Sequence, residues 1–368
     1  MAAVDPAPPV STLAQPDRSL VATTAETKLP FRASLEAMTP LPGDASNRRY
    51  FRLELSTRRS VILMQLAEPE AFKQSEEAVS GAVAMTELPF LNVHRHLGGA
   101  GVTVPALYHY DQAAGLLYLE DFGDLLLVQA CQDGRRPETA GHYHQAIEML
   151  VRIHTAATSP ADDRCIAFHR SFDVPLLMWE FDHFLEYGVV ARHGKPMCAD
   201  DYQPVRAVFQ AIAELMAGQP RVFTHRDYHS RNLIVDGGRL GVIDFQDALM
   251  GPASYDLASL LRDAYIALDD VLLDGLIVEY LDRMGTAGAG LGAGLSDRAA
   301  FRRLFDLTSI QRNLKAAGRF VYIDRVKKNP KFLADLPRVL GYVRRNLAKY
   351  PELAPLRTHL VPYVPELQ

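Results

Sequence analysis

FTHRDYHSRNLIVDGGRLGVIDFQDALMGPASYDL, residues 223–257, is the stretch whose reading decides the fold of this chain. Short apolar runs cover Val222-Phe223-Thr224, Asn232-Leu233-Ile234-Val235 and Leu240 to Ile243. Asp236-Gly237-Gly238 separates the last two, and a D-G pair between apolar runs is a strong hairpin signal. Asn232 and Asp244 each stand six residues from Gly238, so a hairpin brings both to its open end. Asp227 sits on the loop just before it, five residues ahead of Asn232.

That order, H-R-D-x-x-x-x-N followed by D-F, is what phosphoryl transfer requires. The reaction needs Mg²⁺ held by an amide or carboxylate oxygen and a carboxylate. It also needs a carboxylate that orients the attacking hydroxyl and accepts its proton. Asp227 suits the role of base; Asn232 and Asp244 suit the metal. Each of these residues alone would read as a turn cap. The ordered set on one hairpin reads as a catalytic centre.

With 368 residues the chain is long enough for two domains with substantial cores. Its 48% hydrophobic and 23% charged residues are close to those of an average soluble protein. A formal net charge of −5 and no sustained basic run argue against a nucleic-acid partner. No apolar stretch reaches membrane-spanning length, so no membrane partner is expected. Cys131, Cys165 and Cys198 lie far apart and form no metal-type pair, which points to a reduced, cytoplasmic protein. A monomer is expected.

Residues 1–28 are rich in Ala, Pro, Ser and Thr and lack the features of a secretion signal; a disordered or weakly helical tail is expected. Residues 29–120 read as a small, strand-rich lobe of the kind that covers a nucleotide. Tyr50 to Leu55 partly alternates, and Val61 to Met64, Val102 to Tyr110 and Leu116 to Leu119 read as further strands. Helices are expected around Phe72 to Met85 and ending near Gly98-Gly99. Residues 121–368 read as a mainly helical catalytic and substrate-binding lobe, with helices at 138–156, 174–188, 200–217, 254–284 and 297–318 and beyond Pro330. The fold class is α+β. Gly285 to Gly294 reads as a flexible joint, not a dinucleotide fingerprint, because no strand precedes it.

A literal D-F-G at Asp121-Phe122-Gly123 lies far upstream of His225, so Asp121 cannot be the metal ligand in this order. Its position fits the connection between two lobes, where the backbone of Tyr118, Leu119 and Glu120 is a candidate to pair with an adenine edge.

THRDYHSRNLIV followed by GVIDFQDALMGPASYDLA resembles the aminoglycoside phosphotransferase branch of the protein-kinase-like fold. The narrower resemblance is to the bacterial anomeric kinases for N-acetylmuramic acid and N-acetylglucosamine in peptidoglycan recycling. It rests on GDASNRRYFR at 43–52, MWEFDHFLE at 178–186, QRNLK at 311–315 and LADLPRVL at 333–340, and it spans about 40 to 345. The resemblance implies a two-lobed fold, ATP and Mg²⁺ as cofactors, and an amino sugar as substrate. It implies transfer of the γ-phosphoryl group to the sugar C1 hydroxyl, with Asp227 as base and Asn232 and Asp244 as metal ligands.

One departure stands out. Most kinases carry a Lys on the third strand of the small lobe to hold the α- and β-phosphates. Here Val61-Ile62-Leu63-Met64-Gln65 ends in a neutral amide. Arg48, Arg49 or Arg52 could supply the missing charge, and Ser46 and Asn47 could cradle a phosphate with the turn after Gly43.

Substrate contacts are expected from Glu180, on a helix that should border the cleft, from Arg231 and His229 beside the catalytic loop, and from Arg312. Arg312 and Lys315 are candidates to meet a muramyl carboxylate. Asp256 is a further candidate, although bracing the loop suits it better. Trp179 reads as partly core and at most a sugar-stacking face. Two other classes remain open. Another small-molecule kinase of the same branch should show a strongly acidic acceptor pocket if its acceptor is polycationic. A nucleotide-binding scaffold would explain the missing Lys but has no need of Asp227, Asn232 and Asp244 together.

Overall fold

A computed structural model describes residues 14–42, 48–66, 87–131, 137–287 and 297–368. The chain forms two compact units, Met1–Phe72 with Pro105–Asp121, and Lys73–Val104 with Phe122–Gln368. Asp121, of the upstream D-F-G, is thus the last residue of the first unit, and the chain re-enters the second at Phe122.

The first unit is a five-stranded antiparallel sheet in the order β1-β2-β3-β5-β4. Its strands are β1 (Leu35–Leu41), β2 (Arg49–Leu55), β3 (Ser60–Gln65), β4 (Leu107–Asp111) and β5 (Leu116–Glu120). β1 was not legible in the sequence because Pro40 interrupts it; it lies at the sheet edge, where a missing N–H is tolerated. One face packs into a core of Phe51, Leu53, Val61 and Leu63, each 1% exposed or less, worth about 1.5–3 kcal/mol per large side chain.

The expected tail reaches into this core. Arg18–Thr27 is a helix, α1, capped by Asp17, whose side chain accepts the Ser19 N–H. Val21 and Ala25, one turn apart, are fully buried in the same cluster as β2 and β3. Sequence composition hid this helix, because its apolar face is only Val21, Thr24 and Ala25.

The second unit is mainly helical. Its longer helices are α2 (Pro89–Gly99), α3 (Pro137–Thr155), α4 (Val174–His183), α5 (Ala199–Ala217), α6 (Ala253–Leu261), α7 (Asp270–Thr286), α8 (Arg298–Arg325) and α9 (Leu336–Lys349). The expected helix at Phe72 to Met85 lies outside the described residues. Gly285 belongs to α7 and not to a joint; Gly288 onward lies outside the described residues.

Two short ribbons interrupt the helices. β7 (Leu233–Asp236) pairs with β8 (Arg239–Val242), and β6 (Arg221–Thr224) pairs with β9 (Leu249–Pro252). Gly237 and Gly238 join β7 to β8 with φ of 52° and 86°, the left-handed pair that a tight hairpin demands.

α4 runs on into a π-helical segment, Phe184–Ala191. There α8 approaches closely: a Cβ on Gly318 would lie 2.7 Å from Phe184 Cα and 3.1 Å from His183 O. Glycine at 318 is what lets these two helices meet. No helix among the described residues is long and apolar enough to cross a membrane.

Candidate active site

The loop between β6 and β7 carries Asp227, and hydrogen bonds tie it to the hairpin. Asn232 Nδ2 donates to the carbonyl of Asp227 (2.9 Å), and the Ile243 N–H donates to the carbonyl of Asn232 (3.0 Å). His225 Nε2 lies 3.0 Å from the Ile243 carbonyl, so that nitrogen carries its proton. The three residues of the sequence motif are thus linked through one short bonded chain: Asp227 to Asn232, Asn232 to Ile243, and Ile243 directly to Asp244.

Two non-glycine residues here hold left-handed backbones, Arg226 with φ 77° and Asp244 with φ 63°. Such conformations cost about 1–3 kcal/mol each and persist only where surroundings over-determine them. The surroundings do so. Asp256 Oδ2 accepts the His225 N–H (2.6 Å) and its Oδ1 accepts the Arg226 N–H (2.9 Å). Arg312 Nη1 donates to the Arg226 carbonyl (2.6 Å). Asp263 Oδ2 accepts the Ser230 N–H (2.8 Å) further along the loop. Gln246 Nε2 donates to Asp244 Oδ1 (2.9 Å).

Asp227 keeps 42% of its side chain exposed, with Arg312 Nη2 at 3.9 Å. Partial desolvation pushes its carboxyl upward, but the charges of Lys315, Arg312, His229 and Arg226 outweigh this and hold it well below the usual carboxylate range. Asp227 is therefore ionised at any physiological pH. Asp244 is exposed. Asn232 has committed Nδ2 to the loop, which leaves its amide oxygen for a ligand.

Glu180, expected as a substrate contact, is engaged by protein partners. It is fully buried, and both oxygens are engaged: Oε1 by Lys315 Nζ (2.8 Å) and Arg226 Nη2 (3.5 Å), Oε2 by Gln311 Nε2 (2.7 Å) and the Tyr255 hydroxyl (3.2 Å). Burial favours its neutral form, but Lys315 and Arg226 prevail and lower it below the normal value. Burial and the Glu180 charge push the Tyr255 phenol up to about 12, so it stays a donor. Glu180 is the buried counter-charge that gathers cations around Asp227.

Asp256, a further candidate for substrate, is fully buried and holds loop backbone, as well as lying 3.5 Å from His154 Nε2. Arg312, expected to meet substrate, braces Arg226 and stacks over Tyr255 at 4.6 Å, contacts that position the loop. His229 gives its backbone N–H to the Asp227 carbonyl (3.0 Å), and burial lowers its imidazole. Arg231 lies over the rings of Tyr265 (4.1 Å) and Phe332 (5.2 Å), and its buried Nη1 has no hydrogen-bond partner among the described residues.

In the first unit, Ser46 and Asn47 lie outside the described residues, and Arg48, just before β2, is half-buried. Gln65 Nε2 donates to the carbonyl of Ala14 (3.0 Å), so the amide expected for a phosphate serves the N-terminal segment instead. Arg52 forms a two-point ion pair with Asp121, Nε to Oδ2 at 2.7 Å and Nη2 to Oδ1 at 3.1 Å, which explains the upstream D-F-G aspartate. Tyr118, Leu119 and Glu120 do not offer an open backbone edge. β5 is an interior strand, Tyr118 is fully buried, and the Glu120 N–H donates to the Ala106 carbonyl (2.8 Å).

The second unit has a pocket whose described lining includes Trp179, three acids, Glu180, Asp227 and Asp247, and three cations, Arg226, Lys315 and Arg319. Arg319 and Asp263 were not singled out in the sequence. Their roles depend on partners far along the chain, and nothing in their local spacing marks them.

Residues 37–292 match the phosphotransferase enzyme family. The chain is similar to an N-acetylmuramate/N-acetylglucosamine kinase of Neisseria meningitidis serogroup B, 32% identical over 89% of this chain and 90% of the relative. It is 30% identical to a protein of the same name from Pseudomonas aeruginosa, over 87% and 86% of the two chains. Among solved structures, choline kinase from Cryptosporidium parvum Iowa II superposes with a TM-score of 0.59 at 12% identity, over 93% of this chain and 99% of that one. The last likeness shows the fold, which is protein-kinase-like.

Proposed function

This chain belongs to the phosphotransferase enzyme family, and from that premise we propose that it transfers the γ-phosphoryl group of ATP to the C1 hydroxyl of N-acetylmuramate, N-acetylglucosamine or both. The product is a sugar 1-phosphate, and the setting is cytoplasmic cell-wall recycling. The observation that carries the proposal is the pocket beside Asp227. It joins an accessible carboxylate on a braced loop to three cationic side chains, Arg226, Lys315 and Arg319. The described lining also holds three acids, Glu180, Asp227 and Asp247, equal in number to these cations, so it is not the strongly acidic surface that a polycationic acceptor requires. The names of the two relatives support the same acceptors.

In this reading the acceptor hydroxyl donates its hydrogen bond to Asp227. A carboxylate held low is a weak base, so its first contribution is orientation, and it takes the proton as the hydroxyl oxygen bonds to the γ-phosphorus and the bond from that phosphorus to the departing ADP oxygen breaks. Arg312 and Asp256 keep Arg226 in its left-handed conformation and thereby aim Asp227. Arg231 Nη1, buried without a hydrogen-bond partner among the described residues, would meet charge on the transferring phosphoryl group.

Asn232 and Asp244 fit a Mg²⁺ site. An amide oxygen and a carboxylate are hard ligands, and Mg²⁺ characteristically takes only one or two protein oxygens beside water and phosphate. When bound, the ion neutralises charge on the phosphate oxygens. In the first unit, Arg48, Ser46 and Asn47 are proposed to hold nucleotide phosphate.

Phosphorus NMR of the protein with ATP, Mg²⁺ and N-acetylmuramate tests the proposal. A new phosphomonoester signal coupled to the anomeric proton is expected. ATP binding without any sugar phosphate would move the activity to another acceptor.

A further inference from the structure

We propose that Arg319 is the specificity residue for an anionic substituent on the acceptor, namely the carboxylate that N-acetylmuramate carries and N-acetylglucosamine lacks. The inference rests on the sugar-kinase reading above and adds the residue that distinguishes its two acceptors.

The argument is one of charge already committed. Of the three cations lining the pocket, Lys315 Nζ lies 2.8 Å from Glu180 and Arg226 Nη2 lies 3.5 Å from it. Both are held against one fully buried carboxylate and are not at the disposal of a ligand acid. Arg319 has no acid partner among the described residues; its guanidinium lies over the Tyr322 ring, 4.9 Å from the centroid. Stacking on a ring orients the planar fork while leaving its edge N–H groups for an acceptor.

Placement supports the same role. Arg319 follows Lys315 by four residues on α8, so both project from one face of the helix. Its neighbour Gly318 is the point at which α8 meets the backbone of Phe184, which sets Arg319 against the end of α4. Trp179, from α4, lines the pocket too and stacks on His183 with ring centroids 5.7 Å apart, offering an aromatic face to a sugar ring.

The muramyl carboxylate hangs from O3, across C2 from the reacting C1. The group that meets it must therefore share the pocket with Asp227 without belonging to the catalytic loop. Arg319 meets both conditions. The adjacent cations Arg312 and Lys315, which the sequence offers first, are occupied.

The test is steady-state kinetics of wild type, Arg319→Met and Arg319→Lys on both sugars. For Arg319→Met, kcat/KM on N-acetylmuramate should fall about ten- to a hundredfold, mainly through KM, the loss expected for one charge-assisted contact. The change on N-acetylglucosamine should be much smaller. Arg319→Lys should recover part of the loss, since it keeps the charge but not the fork. Added salt should raise the wild-type KM for N-acetylmuramate more than that for N-acetylglucosamine. Equal losses on both sugars, or none on either, would overturn the assignment. Wild type that turns over neither sugar would instead remove the sugar-kinase reading itself, so the two failures are distinct.

Discussion

Arg312 Nη1 donates to the carbonyl of Arg226 at 2.6 Å, and Arg226 is the residue whose φ of 77° immediately precedes Asp227. A side chain from α8 thus clamps a strained peptide one position from Asp227, the proposed base. The clamp works through backbone geometry, so its loss should appear in the chemical step. Arg312→Gln is expected to lower kcat by about tenfold or more, the scale of misplacing a catalytic group, with little change in KM for the sugar. A raised KM at unchanged kcat would return Arg312 to substrate binding.

Asp227→Asn should abolish turnover while calorimetry still registers ATP binding. Positioned acid–base groups contribute about 10²–10⁴-fold. A loss of ATP affinity as large as the loss of rate would sink the base assignment.

The cations around Asp227 fix the sign of a pH effect. Its carboxyl is depressed in the folded protein, so Asp227 stays ionised well below the pH at which an ordinary carboxylate protonates. The acid limb of kcat/KM should therefore show no ionisation of Asp227 in the ordinary carboxylate range. In Lys315→Met the largest depressing charge is gone, and an acid limb belonging to Asp227 should move toward neutral pH. An unmoved limb would mean that Lys315 does not tune this group.

The Glu180 site predicts a stability effect. Glu180 is lowered and Lys315 raised, the latter chiefly by Glu180 against the opposing effect of burial. The lowered carboxyl contributes stability that is present above its unfolded value and lost as pH falls through the folded one. The raised ammonium contributes below its unfolded value and loses it as pH rises through the folded one. The pair therefore stabilises most across neutral pH. Glu180→Gln leaves Lys315 and Arg226 without their counter-charge and should cost about 3–5 kcal/mol in urea unfolding. Unchanged stability with a raised sugar KM would instead mark Glu180 as a substrate contact.

Gln65→Ala should weaken nucleotide binding by no more than about 1 kcal/mol, the worth of one neutral hydrogen bond. Its amide nitrogen already serves the Ala14 carbonyl. Total loss of activity would assign Gln65 a phosphate or metal contact.

Gly318→Ala would drive a Cβ to 2.7 Å from Phe184 Cα, a backbone atom that cannot swing aside. Overpacking of this kind costs about 1–3 kcal/mol, readable as a lowered Tm. An unchanged Tm would show that α8 can shift away from α4.

The linear chain was sufficient to place Asp227, Asn232 and Asp244 together because their arrangement is local. Five residues separate Asp227 from Asn232, and one Asp-Gly-Gly turn brings Asn232 and Asp244 to the same end of a hairpin. Turn chemistry and strand alternation act over such distances, and so do the helix periodicities that marked α3, α4 and α5. What surrounds the motif was decided by tertiary structure. Glu180 meets Gln311 across 131 residues, Arg312 meets Arg226 across 86, and His225 meets Asp256 across 31. Arg52 meets Asp121 across 69. A carboxylate on a helix has the same local pattern whether it faces solvent, a ligand or a buried ammonium. Only packing determines which, because burial and the nearest opposite charge set the energy of an ion, and neither is written in its neighbours along the chain.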